Sequence, residues 1–434
     1  MSKDVNIFWF RRDLRLYDNR GLYQALRGGF PVLPLFIFDK HILDLIHDKS
    51  DPRVSFIHQR LAILNKALNN YHTRLEVRYG DPSTIFRELL NAYNIKHVFS
   101  NHDYEPYARE RDFKIEKLLS ENGVQFTGFK DQVIFEKNQI LNRNRKPYTV
   151  FTPYSKCWRE QLSQEDIAPH PSENYLGNIF KQYPLEIAPL STFGFNISNR
   201  SFPGSEIQPG IIRRYHNTRD FPGIKGTSRL GIHLRFGTVS IRELVRSALE
   251  LNEVWLSELI WREFFTMILW HFPQVIDKPF KKKYDAISWR DNGEEFNRWC
   301  HGETGYPIVD AGMRELNKTG YMHNRIRMIT ASFLTKHLLI DWRLGEKYFA
   351  EKLLDYELSS NNGNWQWVAG CGVDAVPYFR IFNPQKQTEK YDPDHRYIKK
   401  WVPEYLSSSY PRPMVDHRMA RQRALDVFAS VVKT

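Results

Sequence analysis

The chain has 434 residues, room for two or three domains, and 41% of them are hydrophobic, which supports sizeable cores and excludes global disorder. Lys and Arg outnumber Asp and Glu by 62 to 50, a formal charge of +12 that favours a polyanionic partner through counterion release. The three cysteines, Cys157, Cys300 and Cys371, exclude a disulfide framework and are too few for an iron–sulfur cluster; no apolar run is long enough to span a bilayer, the charged opening MSKDVNIFWFRRDLRL does not read as a signal peptide, and a cytoplasmic protein without a membrane partner is expected.

Strand-like and helix-like patterns alternate through the first 130 residues. Short apolar runs at 5–10, 32–38, 75–79, 97–100 and 124–126 read as strands. Between them lie helical stretches such as 55–69, where Phe56, Leu61, Leu64 and Leu68 recur at helical spacing. The alternation predicts an α/β domain over 1–130, with a doubly wound parallel sheet of those five strands and flanking helices. No GxGxxG follows the first strand and no GxxxxGK[ST] occurs, so an ordinary dinucleotide site or phosphate loop is not expected there. From 131 to 200 the periodicity is broken by prolines and polar segments such as Asn142-Arg143-Asn144-Arg145-Lys146-Pro147. Phe151, Tyr154 and Trp158 mark this stretch as a long, packed connector. From 201 to 434 the pattern is helical, with strong amphipathic stretches at 254–272 and 321–343, and an all-α domain is expected.

Nine of the eleven tryptophans lie between Trp255 and Trp401, two of them in the run Asn361-Asn362-Gly363-Asn364-Trp365-Gln366-Trp367. Indoles stack on flavins and nucleobases and are easily oxidised, although a large aromatic core is the plainer reading. Gly226-Thr227-Ser228-Arg229-Leu230 precedes a helical segment, and its amides, hydroxyls and guanidinium suit a pyrophosphate as well as they suit a simple helix start. Glu258, Trp261 and Phe265 share a helix face flanked by Trp255 and Arg262, with an i, i+4 bridge from Glu258 to Arg262 as the plainer reading. Asn324 and Met328 share another face, with Arg325 and Arg327 expected to point elsewhere. Asp355 and Glu357 would need partners if buried, and Arg327 is one candidate. In a helix, Trp365 and Trp367 point to roughly opposite sides.

Taken together these segments resemble the photolyase/cryptochrome family. The resemblance rests on Trp9-Phe10-Arg11-Arg12-Asp13-Leu14-Arg15-Leu16, Gly226–Leu230, Glu258-Leu259-Ile260-Trp261-Arg262-Glu263-Phe264, Gly305-Tyr306-Pro307-Ile308-Val309-Asp310, Met322-His323-Asn324-Arg325 and Asn361–Trp367, in that order and nearly end to end. The nearest subgroup is the class I cyclobutane pyrimidine dimer photolyases. The resemblance implies a helical domain that holds FAD, active in its reduced anionic form, and light-driven splitting of dimers flipped out of DNA damaged by ultraviolet light. It implies a monomer and no metal. By position, it implies that Tyr215, Thr227, Ser228, Arg229, Leu230, Gly231, Trp255, Arg262, Asn324, Arg327, Asp355, Glu357 and Asn361 line the FAD site, with Asn361 near flavin N5. Glu258, Trp261, Phe265, Asn324, Met328 and Trp367 would line the lesion pocket, and Arg219, Arg325 and Arg380 would contact phosphates. Trp365, Trp342 and Trp289 match the family's three-tryptophan relay from flavin to surface.

The departures from the family pattern are specific. Glu357 stands where aspartate is common, and Phe265 where some relatives have tyrosine. Tyr107, Ala108, Val275 and Ile276 replace the contacts that hold a folate antenna, so that type is not expected; a deazaflavin, a second flavin or no antenna stays open. Two alternatives within the family are a cryptochrome-type photoreceptor without repair activity and a six-four photoproduct photolyase. Against the second, the animal-type enzymes need a histidine pair, and here His323 is followed by Asn324. A basic flavoprotein that binds nucleic acid without catalysis is the reading from outside the family.

Overall fold

Runs such as Val5–Phe10 and Val32–Phe38 carry apolar residues at successive positions, so both faces of each strand must be covered. The computed structural model, which describes residues 3–432, shows how. Strands β1 (Asp4–Phe10), β2 (Val32–Asp39), β3 (Glu76–Gly80), β4 (Asn94–Asn101) and β5 (Gln125–Phe129) form one parallel sheet in the order β3-β2-β1-β4-β5. Val5, Ile7, Trp9, Leu33 and Val98 form its core with Ile85, Phe86 and Ile115 from the flanking helices. Two of the helices open on an aspartate cap followed by proline: Asp51 accepts from the Arg53 amide, and Asp81 from the Thr84 amide. The fifth strand runs past the expected end at Phe126. Gly128 reads as a break in sequence, yet here it sits in the strand because the His102 ring packs where its Cβ would be, 2.5 Å away.

By internal packing the chain divides into a sheet unit (residues up to 136, 161–206 and 229–247) and a helical unit (137–160, 207–228 and 248 onward). The stretch expected as a connector is thus shared out between the two, and 229–247 belongs with the sheet. Buried ion pairs explain that last assignment. Arg242 pairs with Asp18 and Asp131 at 2.8 Å each, and Arg15 with Asp131 at 2.6 Å. Burial alone would raise the Asp131 carboxyl, but Arg15 and Arg242 outweigh it and hold it at about 2. The rest of the Trp9–Leu16 segment joins the same knot. Arg11 pairs with Asp112, and Arg12 with Asp103 and Glu105. Asp13 accepts from the Arg11 amide and the Asn101 side chain.

In the helical unit, helix α1 (Phe151–Gln161) packs on helix α2 (Glu253–His271), whose start is capped by Asn252 accepting from the Val254 and Trp255 amides. The Trp158 indole donates to buried Glu263 at 2.6 Å across that contact. The stretch expected as one helix over 321–343 is three pieces instead. Helix α3 (Asn324–Ser332) passes into a π-helical turn, Phe333–His337, and then breaks where Leu339 turns left-handed at φ 52°. Helix α4 (Trp342–Lys352) restarts under an Asp341 cap, and helix α5 (Leu358–Ala369) follows. The apolar spacing continues through the break, so periodicity alone does not reveal it. The Gly305–Asp310 segment has a structural purpose: buried Asp310 accepts from the Thr304 and Gly305 amides, the Thr304 hydroxyl and the Tyr410 hydroxyl. Among the described residues no helix is long and apolar enough to cross a membrane.

Candidate flavin site in the helical unit

Helices α3, α4 and α5 converge on an open cavity with mixed polar and apolar walls. Seven residues singled out from sequence line it: Asn324, Arg327, Met328, Asp355, Glu357, Asn361 and Trp365. Arg327 faces the cavity with Asn324 and Met328, contrary to the expectation that it points away. Residues at i, i+3 and i+4 share one helical face, which the sequence reading applied only to the outer pair. Arg327 holds Asp355 at 2.9 Å and donates through Nε to the Met322 carbonyl at 2.8 Å. The expected bridge between Glu258 and Arg262 does not form. Arg262 instead pairs with Glu357 at 2.8 Å, and Glu258 with Arg219 at 2.6 Å. Burial pushes the Glu258 carboxyl up, and Arg219 offsets only part of that.

Asn361 has a partner that the sequence reading missed. Its Nδ2 donates to Glu346 Oε1 at 2.8 Å and to the Glu346 carbonyl at 3.1 Å. Burial raises the Glu346 carboxyl, and the Asn361 hydrogen bond works against that. One signal was present: Glu346 lies one turn after Trp342, on the face that α4 turns inward. Phe349, Leu353, Tyr356 and Val368 supply apolar wall and were not singled out either. Apolar walls with a few fixed polar groups at the edge, namely Asn361 and the Arg327–Asp355 pair, fit a flat ring system with hydrogen-bonding edges, as FAD has. Trp365 is buried, with its indole edge-on to Phe349 at 5.0 Å and to Trp299 at 6.2 Å. Gly345 makes room for it: a Cβ there would lie 2.2 Å from the Trp365 ring. Trp342 is buried at the start of α4, and Trp289 is half-buried against Phe428 at 5.9 Å.

The other candidates do not line this cavity. Trp261 is half-buried and stacks face to face on Phe151, centroids 3.7 Å apart and planes within 7°. Phe265 is buried and lines a second, smaller cavity with Gly363 and Gln366. Trp367 is half-buried on the opposite side of α5 from Trp365. Trp255 is buried in the first turn of α2, the Arg219 guanidinium lies over the half-buried Tyr215 ring, and the Thr227 hydroxyl meets the Tyr321 hydroxyl at 3.1 Å. Ser228 is half-buried beside Thr227. Arg229, exposed and left-handed at φ 55°, belongs with Leu230 and Gly231 to the sheet unit, and a five-residue helix, Gly231–Arg235, does begin there. Arg325 pairs with Asp220 at 2.6 Å, and Arg380 is exposed next to exposed Phe379.

A parallel sheet unit and a helical unit with a part-polar cavity among its helices define a two-part protein. The family model for DNA photolyase matches residues 6–173, and that for the FAD binding domain of DNA photolyase matches 255–408. The chain is 36% identical to the deoxyribodipyrimidine photo-lyase of Halobacterium salinarum, covering 98% of both chains. It is also 36% identical to the one of Escherichia coli, covering 99% of both. Among solved structures it is similar to a class III photolyase from Agrobacterium tumefaciens, with a TM-score of 0.85 and 34% identity over 100% of this chain and 98% of that one. It is similar as well to an archaeal photolyase from Sulfolobus tokodaii with two FAD molecules, with a TM-score of 0.84 and 34% identity over 98% of this chain and 100% of that one. The chain belongs to the DNA photolyase family, and its helical part carries that family's FAD-binding domain.

Proposed function

We propose that the chain repairs DNA by splitting cyclobutane pyrimidine dimers in light, with FAD held in the helical cavity. The observation that carries this reading is the cavity itself, which Asn361, the Arg327–Asp355 pair and Trp365 line together. Reduced FAD, when bound, supplies the light-excited electron that opens the cyclobutane ring and is afterwards returned. Everything else is work for the chain's own residues. With Nδ2 engaged by Glu346, Asn361 offers Oδ1 as an acceptor to a ring N–H. Arg327 and Arg262, each held by a carboxylate, present fixed positive charge toward an anionic flavin. Trp261 and Trp367 stack on the flipped bases, Met328 gives them an apolar contact, and Glu258 and Asn324 bond their edges. Burial raises the Glu258 carboxyl against the pull of Arg219. Arg219, Arg325 and Arg380 take DNA phosphates; the first two must then exchange Glu258 and Asp220 for the phosphate. Trp365, Trp342 and Trp289 reload the flavin with electrons from the surface.

The test is an absorption spectrum of the purified protein before and after blue light. A yellow protein with about one FAD per chain, bleached by light in the presence of a thiol, is expected. Protein that is colourless, and stays so after incubation with FAD, overturns the reading. A flavin-bearing protein that leaves cyclobutane dimers intact in light would instead be a photoreceptor or a six-four photoproduct photolyase.

A further inference from the structure

Lys336 is fully buried in the π-helical turn, and no part of the flavin or lesion site uses it. Its Nζ donates to the Ala369 carbonyl at 2.7 Å and lies 3.4 Å from the centre of the Phe428 ring. The titratable groups around it are the Cys371 thiol and, across Phe428, the phenols of Tyr284 and Tyr378. Beyond it, Lys281 and Arg343 act on Cys371, and Asp374 on Lys281. The next residue, His337, faces His417 at 2.8 Å and takes Arg423 on its carbonyl. Cys371 is itself pushed up to about 12 by burial, so it offers no anion near neutral pH. An amine buried this way is costly when charged, and burial brings its pKa down to about 7. The same Phe428 ring meets Trp289, edge-on at 5.9 Å. One phenyl ring, Phe428, thus contacts both the Lys336 nitrogen and the outermost tryptophan of the relay.

We propose that Lys336 tunes Trp289 electrostatically: as an ammonium it opposes the loss of an electron from the indole, and as a neutral amine it permits it. This rests on the relay reading of Trp365, Trp342 and Trp289. The electron leaves Trp289 for the oxidised Trp342, whose own electron has passed to Trp365, and from Trp365 one electron has gone to light-excited oxidised flavin. No bond forms or breaks, and the charge left on Trp289 shares the neighbour Phe428 with Lys336. Lys336 is thus a positioning residue for charge, and light-driven loading of the cofactor becomes pH-dependent.

The experiment is transient absorption of the tryptophan radical in the FAD-loaded, oxidised protein, from about pH 5.5 to about pH 9. The yield of long-lived radical is expected to rise about threefold or more as the pH passes through about 7. Lys336→Met is expected to be flat at the high level, and Lys336→Arg, charged throughout, flat at the low level. A wild-type pH profile in either variant overturns the proposal. A second readout needs no flavin. The native state holds fewer protons than the unfolded chain above about 7, so urea stability of the wild type relative to Lys336→Met should climb from there upward. No climb means that the amine does not titrate in this range, and the proposal fails. Trp289→Phe separates the two readings. If it leaves flavin photoreduction intact, the relay itself is wrong. If it blocks photoreduction while Lys336→Met keeps the wild-type profile, only the assignment to Lys336 is wrong.

Discussion

In the sheet unit, Arg15 and Arg242 close on Asp131 and Asp18 with every one of these side chains at most 6% exposed. In the helical unit, Arg262 and Arg327 close on Glu357 and Asp355, but the Arg327–Asp355 pair stays 26% and 19% exposed and borders open space. Each region takes one arginine, Arg15 or Arg262, from a motif that carries the family resemblance, and both hold buried arginine–carboxylate pairs. The difference teaches that such pairs do not by themselves mark a reactive site. The first set ties distant chain segments together with its side chains fully enclosed. The second spends its charges at the rim of a cavity.

The sharpest way to break this contrast is Arg242→Ala. It strips two buried carboxylates of a partner, and a loss of about 3–5 kcal/mol in urea unfolding is expected. A loss below about 1 kcal/mol would mean that the knot is no more structural than a surface pair. Next in size is a pH effect in the same knot. Burial pushes the Asp13 carboxyl from 3.8 up to about 6. The native state then holds a proton that the unfolded chain has lost, so this contribution is full below about pH 4 and lost as the pH rises through about 6. Relative to Asp13→Asn, the wild type should lose about 3 kcal/mol across that window, and a flat difference would contradict the burial argument. Arg327→Ala should cost less stability, about 1.5–3 kcal/mol, because the pair is partly solvated. It should also abolish most FAD retention on a desalting column, whereas Arg242→Ala material that remains folded should keep its flavin. Flavin loss in both would erase the distinction. The smallest expected effect is at the lesion pocket. Trp261→Ala should weaken binding to dimer-containing DNA by about 1–3 kcal/mol, the worth of one base–aromatic stack. Because Phe151 already covers one face of Trp261, an unchanged affinity would place the flipped base elsewhere.

The sheet was legible because buried parallel strands write themselves as uninterrupted apolar runs, and all five were found. Their ends were less so: Gly128 looks like a terminator until the His102 ring is seen to need the space. The break at Leu339 was illegible, since a left-handed non-glycine residue leaves no compositional trace and the apolar period runs through it. In the site, residue types and faces could be read, but partners could not. Glu258 and Arg262 sit at ideal spacing for each other, yet Arg219 and Glu357, far along the chain, reach them instead. Glu346 escaped because a carboxylate on an inward helix face looks like any surface glutamate until its neighbours are known.

The most direct test of the account is repair of a defined cyclobutane thymine dimer in DNA by the protein loaded with reduced FAD, under blue light and in parallel in darkness. Restored thymines in the light with none in the dark are expected, and the activity should disappear in Arg327→Ala with its flavin. Dimers that survive illumination beside fully reduced, protein-bound FAD would contradict it.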